Sequence, residues 1–189
     1  MKLDTVLERS DSSSLLGEIV ALRTHTSMRA KGVSQCRGSH YQFVAELDAK
    51  AEEWHMVTDQ GQRWSAVDGM LSVEPEPPHE VDFPSGMPTE VQMLHPEAFL
   101  MWGRGGGESF YPMLIQEIGR RSLLITFEHV EDPALRATAV INGTTGIIEK
   151  MAMLGDVTIL TEVEFGVQLD SGRQPEFLPI TTDWIQPNY

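Results

Sequence analysis

The chain is 189 residues long, enough for one domain with a buried core, and carries a formal net charge of −14. That charge weighs against a nucleic-acid surface, where Lys and Arg must neutralise phosphates, and against anionic lipid headgroups. The one cysteine, Cys36, excludes an internal disulfide, and no run of residues approaches the roughly 18 apolar positions of a membrane-spanning helix.

Met1-Lys2-Leu3-Asp4 lacks the basic start and apolar stretch of a secretion signal, so a cytoplasmic location is expected. Residues 3–9 and 14–22 read as helical. In the second segment Leu15, Leu16, Ile19 and Val20 fall on one stripe, with Ser12, Ser13 or Ser14 available as N-cap. From Thr26 the period changes to two. Residues 27–35 form a weak strand, 41–47 a good one with Tyr41, Phe43, Ala45 and Leu47 on one face, and 53–58 a third. Residues 63–67 and 70–74 are joined by Asp68-Gly69, a pair suited to a type I′ hairpin turn.

Five prolines mixed with acidic residues make 75–88 an extended connection, because proline withholds the donor that a strand needs. A short helix follows within 91–102, with Pro96 in its first turn and Phe99, Leu100 and Trp102 as bulky apolar groups. Gly103 to Gly107 reads as a hinge or loop. Glu108 follows the glycines where a phosphate cradle has Lys-Ser or Lys-Thr, and a strand succeeds them where a cradle opens a helix.

Residues 110–118 lead into a run of four antiparallel strands, 122–128, 135–141, 147–154 and 157–165. Leu123, Ile125 and Phe127 alternate with polar positions in the first, and Leu135, Ala137, Ala139 and Ile141 in the second. The last strand reads with Val157, Ile159, Val163 and Phe165 on one side and Thr158, Glu162 and Glu164 on the other. Asn142 to Gly146 supplies a hairpin loop, and Gly155-Asp156 reads as a Gly-first turn. The tail from Pro175 packs Phe177, Ile180 and Trp184 on an edge. Neither meander has enough apolar side chains for a closed core of its own, so one domain, 1–189, is expected.

The six histidines are scattered without the spacing of a zinc pair, and no flanking motif makes Cys36 a nucleophile, so neither metal nor cofactor is expected. Asn142-Gly143-Thr144 matches a glycosylation acceptor, yet turn chemistry explains it. The many carboxylates are expected to solvate the outer face. Trp54, Met56, Trp64, Met93, Phe99, Met101, Trp102 and Met113 suit either an ordinary core or an adaptable apolar pocket.

The order of helix, meander, Pro-containing middle section and second meander, with the hairpin Ala139-Val140-Ile141-Asn142-Gly143-Thr144-Thr145-Gly146-Ile147-Ile148, resembles the LolA/LppX-like superfamily of bacterial lipoprotein carriers. The resemblance implies an α+β fold: a strongly curved, unclosed half-barrel of about 8–11 antiparallel strands with helices covering its concave face. It also implies non-enzymatic binding of an apolar small molecule or lipid between sheet and helices, with Trp64, Phe99 and Trp102 as lining residues. Two other readings stand beside it. One is a cofactor-independent enzyme acting on a hydrophobic intermediate in the same groove, with Arg120, Arg121 or His95 converging there. The other is a protein-interaction module using an exposed edge or patch.

Overall fold

In the computed structural model, residues 3–36, 38–103, 109–170 and 175–178 are described. They form one open antiparallel sheet of 12 strands. In chain order these are β1 (Thr5–Val6), β2 (Ser27–Cys36), β3 (Ser39–Asp48), β4 (Glu53–Thr58), β5 (Arg63–Val67), β6 (Met70–Val73), β7 (His79–Glu80), β8 (Phe110–Ile118), β9 (Ser122–His129), β10 (Arg136–Asn142), β11 (Ile148–Met153) and β12 (Asp156–Phe165). Their order across the sheet is β1-β8-β9-β10-β11-β12-β2-β3-β4-β5-β6-β7. The two meanders expected from the sequence are thus joined through β12 and β2, from Asp156 opposite Cys36 to Phe165 opposite Met28.

Twelve strands exceed the expected 8–11 by one, and the two that the sequence reading did not include, β1 and β7, are both short edges. The helix expected over residues 3–9 does not form before Arg9: Leu3, Val6 and Leu7 have helical spacing, but Val6 is exposed and Leu7 N donates to Met113 O at 2.8 Å, extending a two-residue pairing with β8. At the opposite edge, β7 interrupts the Pro-rich connection, with Leu71 opposite His79. The helical content is small. Helix α1 (Ser12–Val20) follows a 3-10 turn at Arg9–Asp11, and the helix expected within 91–102 is divided into α2 (Thr89–Gln92) and a 3-10 turn at Pro96–Ala98. Pro96 opens that turn because its missing N–H could not have continued the preceding helix.

One face of the sheet holds the core. Paired residues in an antiparallel ladder share a face. The registers Ala139–Met151, Met151–Thr158, Thr158–Ser34 and Ser34–Tyr41 carry that face from the second meander into the first. One buried cluster gathers Leu15, Leu16 and Ile19 of α1 with Ile115, Ile125, Phe127, Ala139 and Ile141, and also includes Phe99, Met101 and Trp102. A second gathers Met28, Phe43, Leu47 and Trp54 with Met87, Val91 and Leu94.

β12 departs from the alternation read in its sequence. A bulge between Leu160 and Glu162 shifts the register, so Val163 and Phe165 face the core while Val157 and Ile159 lie on the other face. Thr158, expected outside, is buried and shares a 3.0 Å hydrogen bond with Ser34. The β11–β12 turn is centred on Leu154–Gly155, so Gly155 with φ +85° is its second residue and not its first. Asp68 and Gly69, at φ +51° and +73°, have the two positive values of a type I′ turn.

Candidate functional site

The sheet face opposite the core carries an open cavity of about 660 Å³ across β2, β3, β4 and β5, bordered by Glu164 of β12. Its floor follows from strand register. Arg29, Glu46, His55 and Ser65 form one row across four strands, and Lys31, Val44, Val57 and Arg63 form the next. Alternation that sends Met28, Ala30, Ala45 and Leu47 into the core sends these polar side chains out.

The row is not simply solvated. Glu46 is only 5% exposed. It accepts from Arg29 Nε at 2.6 Å, and its other oxygen accepts from the backbone N–H of Asp170 at 3.0 Å. Arg29 also reaches Glu164 at 3.5 Å. Burial works against the Arg29 charge, but the two carboxylates outweigh it and hold the guanidinium even more firmly protonated than usual. Beside them, burial pushes His55 below the ordinary imidazole range, against the opposing pull of Glu46, Glu53 and Asp170.

The remaining wall comes from the chain beyond β12. Asp170, Pro175 and Glu176 border the cavity, and Gln42 Nε2 donates to Leu178 O. The tail at 175–178 therefore lies over the outer face of the sheet, where an edge position was expected. Phe177 is half-buried there; Ile180 and Trp184 lie outside the described residues, as do Arg104 to Gly107 of the expected glycine hinge.

The three expected lining residues fall in different places. Trp64 packs against the second cluster and borders the outer-face cavity. Phe99 and Trp102 belong to the first cluster, where Trp102 meets Phe127 edge-on at 5.3 Å and donates from Nε1 to Pro96 O at 2.7 Å. Nor do the polar candidates converge. Arg120 and Arg121 are exposed in the β8–β9 turn. His95 is buried beside the Arg23–Glu97 ion pair, with Arg23 Nη1 at 3.0 Å from its Nδ1. Burial pushes His95 below the ordinary imidazole range, opposed by Glu97 and assisted by Arg23, which favours the neutral ring that can accept that bond.

The sequence reading missed Glu46, which was counted among carboxylates solvating the outer face. A signal was available: Arg29 and Lys31 in β2 and Glu46 in β3 are the charged members of alternating strands, so cross-strand pairing brings opposite charges together. Among the described residues no group of three His, Cys, Asp or Glu side chains is placed to hold a metal.

No protein-family model matches the chain, and no curated protein matches it in sequence. Solved structures do match its fold. MucB in the Pseudomonas aeruginosa MucA/MucB complex aligns at 14% identity and TM-score 0.52, over 85% of this chain and 59% of that one. An uncharacterized conserved protein from Thermus thermophilus aligns at 9% identity and TM-score 0.51, over 87% and 95%. A LolA superfamily protein from Nitrosomonas europaea aligns at 9% identity and TM-score 0.39, over 84% and 94%. The fold is shared with MucB and with the Thermus thermophilus protein. The chain spans about three fifths of the MucB chain that it matches.

The comparison corrects the expected cytoplasmic location. That expectation rested on the first few residues, whereas the fold is shared with the periplasmic protein MucB.

Proposed function

We infer that this protein is a non-enzymatic binder of an apolar ligand, such as an acyl chain, which is held between the hollow of the curved sheet and its covering segments. The observation that carries this reading is the character of the cover. A single apolar face runs across both meanders, and the helical segments whose side chains join its two buried clusters are one nine-residue helix, a four-residue helix and a three-residue turn.

Met87, Met93 and Met101 sit in that cover, all buried, and Met28, Met56 and Met151 lie on the sheet beneath. Unbranched thioether side chains repack around an inserted chain at lower cost than branched ones, so this layer suits an adaptable site. Residues 87–102 are held to the rest of the chain by side-chain and backbone bonds that a lifted cover would break: Ile148 N donates to Met93 O at 2.9 Å, Arg23 pairs with Glu97 and Tyr41 donates to Glu90 at 2.6 Å, while Trp102 Nε1 closes the segment on its own Pro96. Displacing it exposes Phe99 and Trp102 beside the first cluster, and Trp64 borders the second. The driving force is burial of ligand surface, about 25 cal/mol per Å² before association costs.

The test is titration with a dansyl-labelled fatty acid. Saturable dansyl enhancement, reversed by unlabelled fatty acid and accompanied by quenching of tryptophan fluorescence, is the expected result. Linear partitioning that unlabelled fatty acid does not reverse would reject the reading.

A second reading is favoured by a different observation, the polar cavity on the opposite face. It suits contact with a protein, and MucB, which shares the fold, is solved in complex with MucA.

A further inference from the structure

Three segments that contribute to the two buried clusters meet at His95. Its own segment, 87–102, carries α2 and the 3-10 turn that follows. The Pro-rich connection brings the ring of Phe83 edge-on at 5.2 Å. The link after α1 brings Arg23, whose backbone N–H donates to Val20 O of that helix at 3.0 Å. Arg23 Nη1 lies 3.0 Å from His95 Nδ1 and donates to Glu97 at 2.9 Å, and Nη2 pairs with Glu97 as well. A guanidinium has donors only, so Nδ1 is the acceptor and the ring proton sits on Nε2.

A proton added at Nδ1 turns the acceptor for Arg23 into a donor. Two cations then face each other at hydrogen-bond distance, on a residue that is 7% exposed. Glu97, with Oε1 at 3.5 Å from Nδ1, is claimed by both. Arg23 and Glu97 are the charged groups that act on the ring; the carboxylate that α2 presents, Glu90, is engaged by Tyr41. One carboxylate cannot hold a guanidinium by both oxygens and satisfy a new imidazolium, so the tie between the end of α1 and residues 95–97 weakens.

We propose that Arg23, His95 and Glu97 form an acid-opened latch, which holds residues 87–102 against the apolar face while Nδ1 is unprotonated and frees them when it gains a proton. Water solvates the imidazolium in the open state and not in the closed one, so acid favours opening. The latch regulates the apolar-ligand site and rests on that reading for its purpose: a ligand is retained near neutral pH and let go in a more acidic setting. The opening itself is measurable without ligand.

The experiment follows hydrogen exchange in the full, ligand-free chain, expressed as protection relative to the intrinsic rate at each pH. Protection at residues 87–102 is expected to fall about five- to tenfold between about pH 7.5 and pH 5.5, as a proton taken up on opening requires, while β9 and β10 hold theirs. His95→Gln keeps an acceptor for Arg23 and does not titrate, so protection there should change by less than about twofold. His55→Gln, on the opposite face, should keep the parent's response. If His95→Gln loses its circular dichroism spectrum, Arg23→Gln serves: without the cation that opposes the imidazolium, the acid response should fall to less than about half the parent's. The release rate of bound dansyl-labelled fatty acid should rise with acid by a similar factor in the parent and stay flat in His95→Gln.

Protection at 87–102 that stays flat across this range, a loss that His95→Gln shares, or a loss spread equally to β9 and β10 would overturn the latch, even where fatty acid binds saturably. An acid response seen in the parent and His55→Gln but not in His95→Gln, in a chain that takes up no fatty acid, would support the latch and reject the ligand reading alone.

Discussion

The ring of Phe43 lies over Gly32. A Cβ on Gly32 would collide with Phe43 Cζ, with Cε1 at 2.7 Å, and with the carbonyl of Ile159 on the neighbouring strand. Gly32 sits opposite Phe43 in the β2–β3 ladder and opposite Leu160 beside the β12 bulge, where the two meanders meet. The space left by its missing side chain lets a fully buried aromatic fill the seam. Gly32→Ala is therefore expected to destabilise the protein by about 1–3 kcal/mol through overpacking, measured by urea denaturation. A change below about 0.5 kcal/mol would show that the seam relaxes freely.

Arg29 and Glu46 make a second measurable link across β2 and β3. Their side chains are 13% and 7% exposed, so removing one partner strands the other largely out of water. Glu46→Ala is expected to cost about 2–4 kcal/mol, between the loss of one charged hydrogen bond and a broken buried pair. Replacing both with apolar residues of similar volume should recover most of that loss. A single-variant cost under about 0.5 kcal/mol would put the pair with ordinary surface ion pairs.

Stability should depend on pH in a direction that the buried histidines set. The folded values of His95 and His55 lie below the ordinary 6.5, so between those values and 6.5 the unfolded chain binds more protons than the native one. Their contribution is fully present above pH 6.5 and declines as pH falls through that window. His95→Gln keeps an acceptor for Arg23 while removing the titration, so it should flatten the fall in Tm between about pH 7 and pH 5. Tyr41 acts at the other end. Burial and the 2.6 Å bond to the Glu90 carboxylate push its phenol up to about 12, so its contribution is intact below pH 10 and lost as pH rises through about 12. Tyr41→Phe should remove that alkaline component.

Gly146 joins hairpin and helix. Its φ is +73°, and an added Cβ would meet the carbonyl of Ile19 near the end of α1. Asn142 organises the same loop, its Oδ1 accepting from Thr144 and Thr145 N–H at 2.9 and 3.1 Å. Gly146→Ala should cost at least about 1 kcal/mol from backbone strain and push α1 away from the sheet. An unchanged denaturation midpoint would show that the loop adopts another turn at no cost.

Strand alternation made most of this architecture readable from sequence. The boundaries of β4, β5 and β8 coincide with the expected 53–58, 63–67 and 110–118, and Leu123, Ile125 and Phe127 are buried as their spacing required. What the period cannot reveal is a place where it breaks. The bulge near Thr161 inverted the reading of Val157 and Ile159, and Val6 and Leu7 matched a helical stripe while pairing at an edge. The outer cavity was illegible for another reason. It depends on a distant segment returning over Arg29 and Glu46, and nothing local in Asp170 or Leu178 announces that contact.

Binding of an apolar ligand beneath residues 87–102 is the central claim, and native mass spectrometry of protein purified gently from its own cells tests it most directly. The account predicts a stoichiometric apolar adduct that organic extraction removes, with hydrogen exchange at residues 87–102 rising on loading as the cover lifts. A bare mass after incubation with excess fatty acid, together with unchanged exchange in that segment, would contradict it.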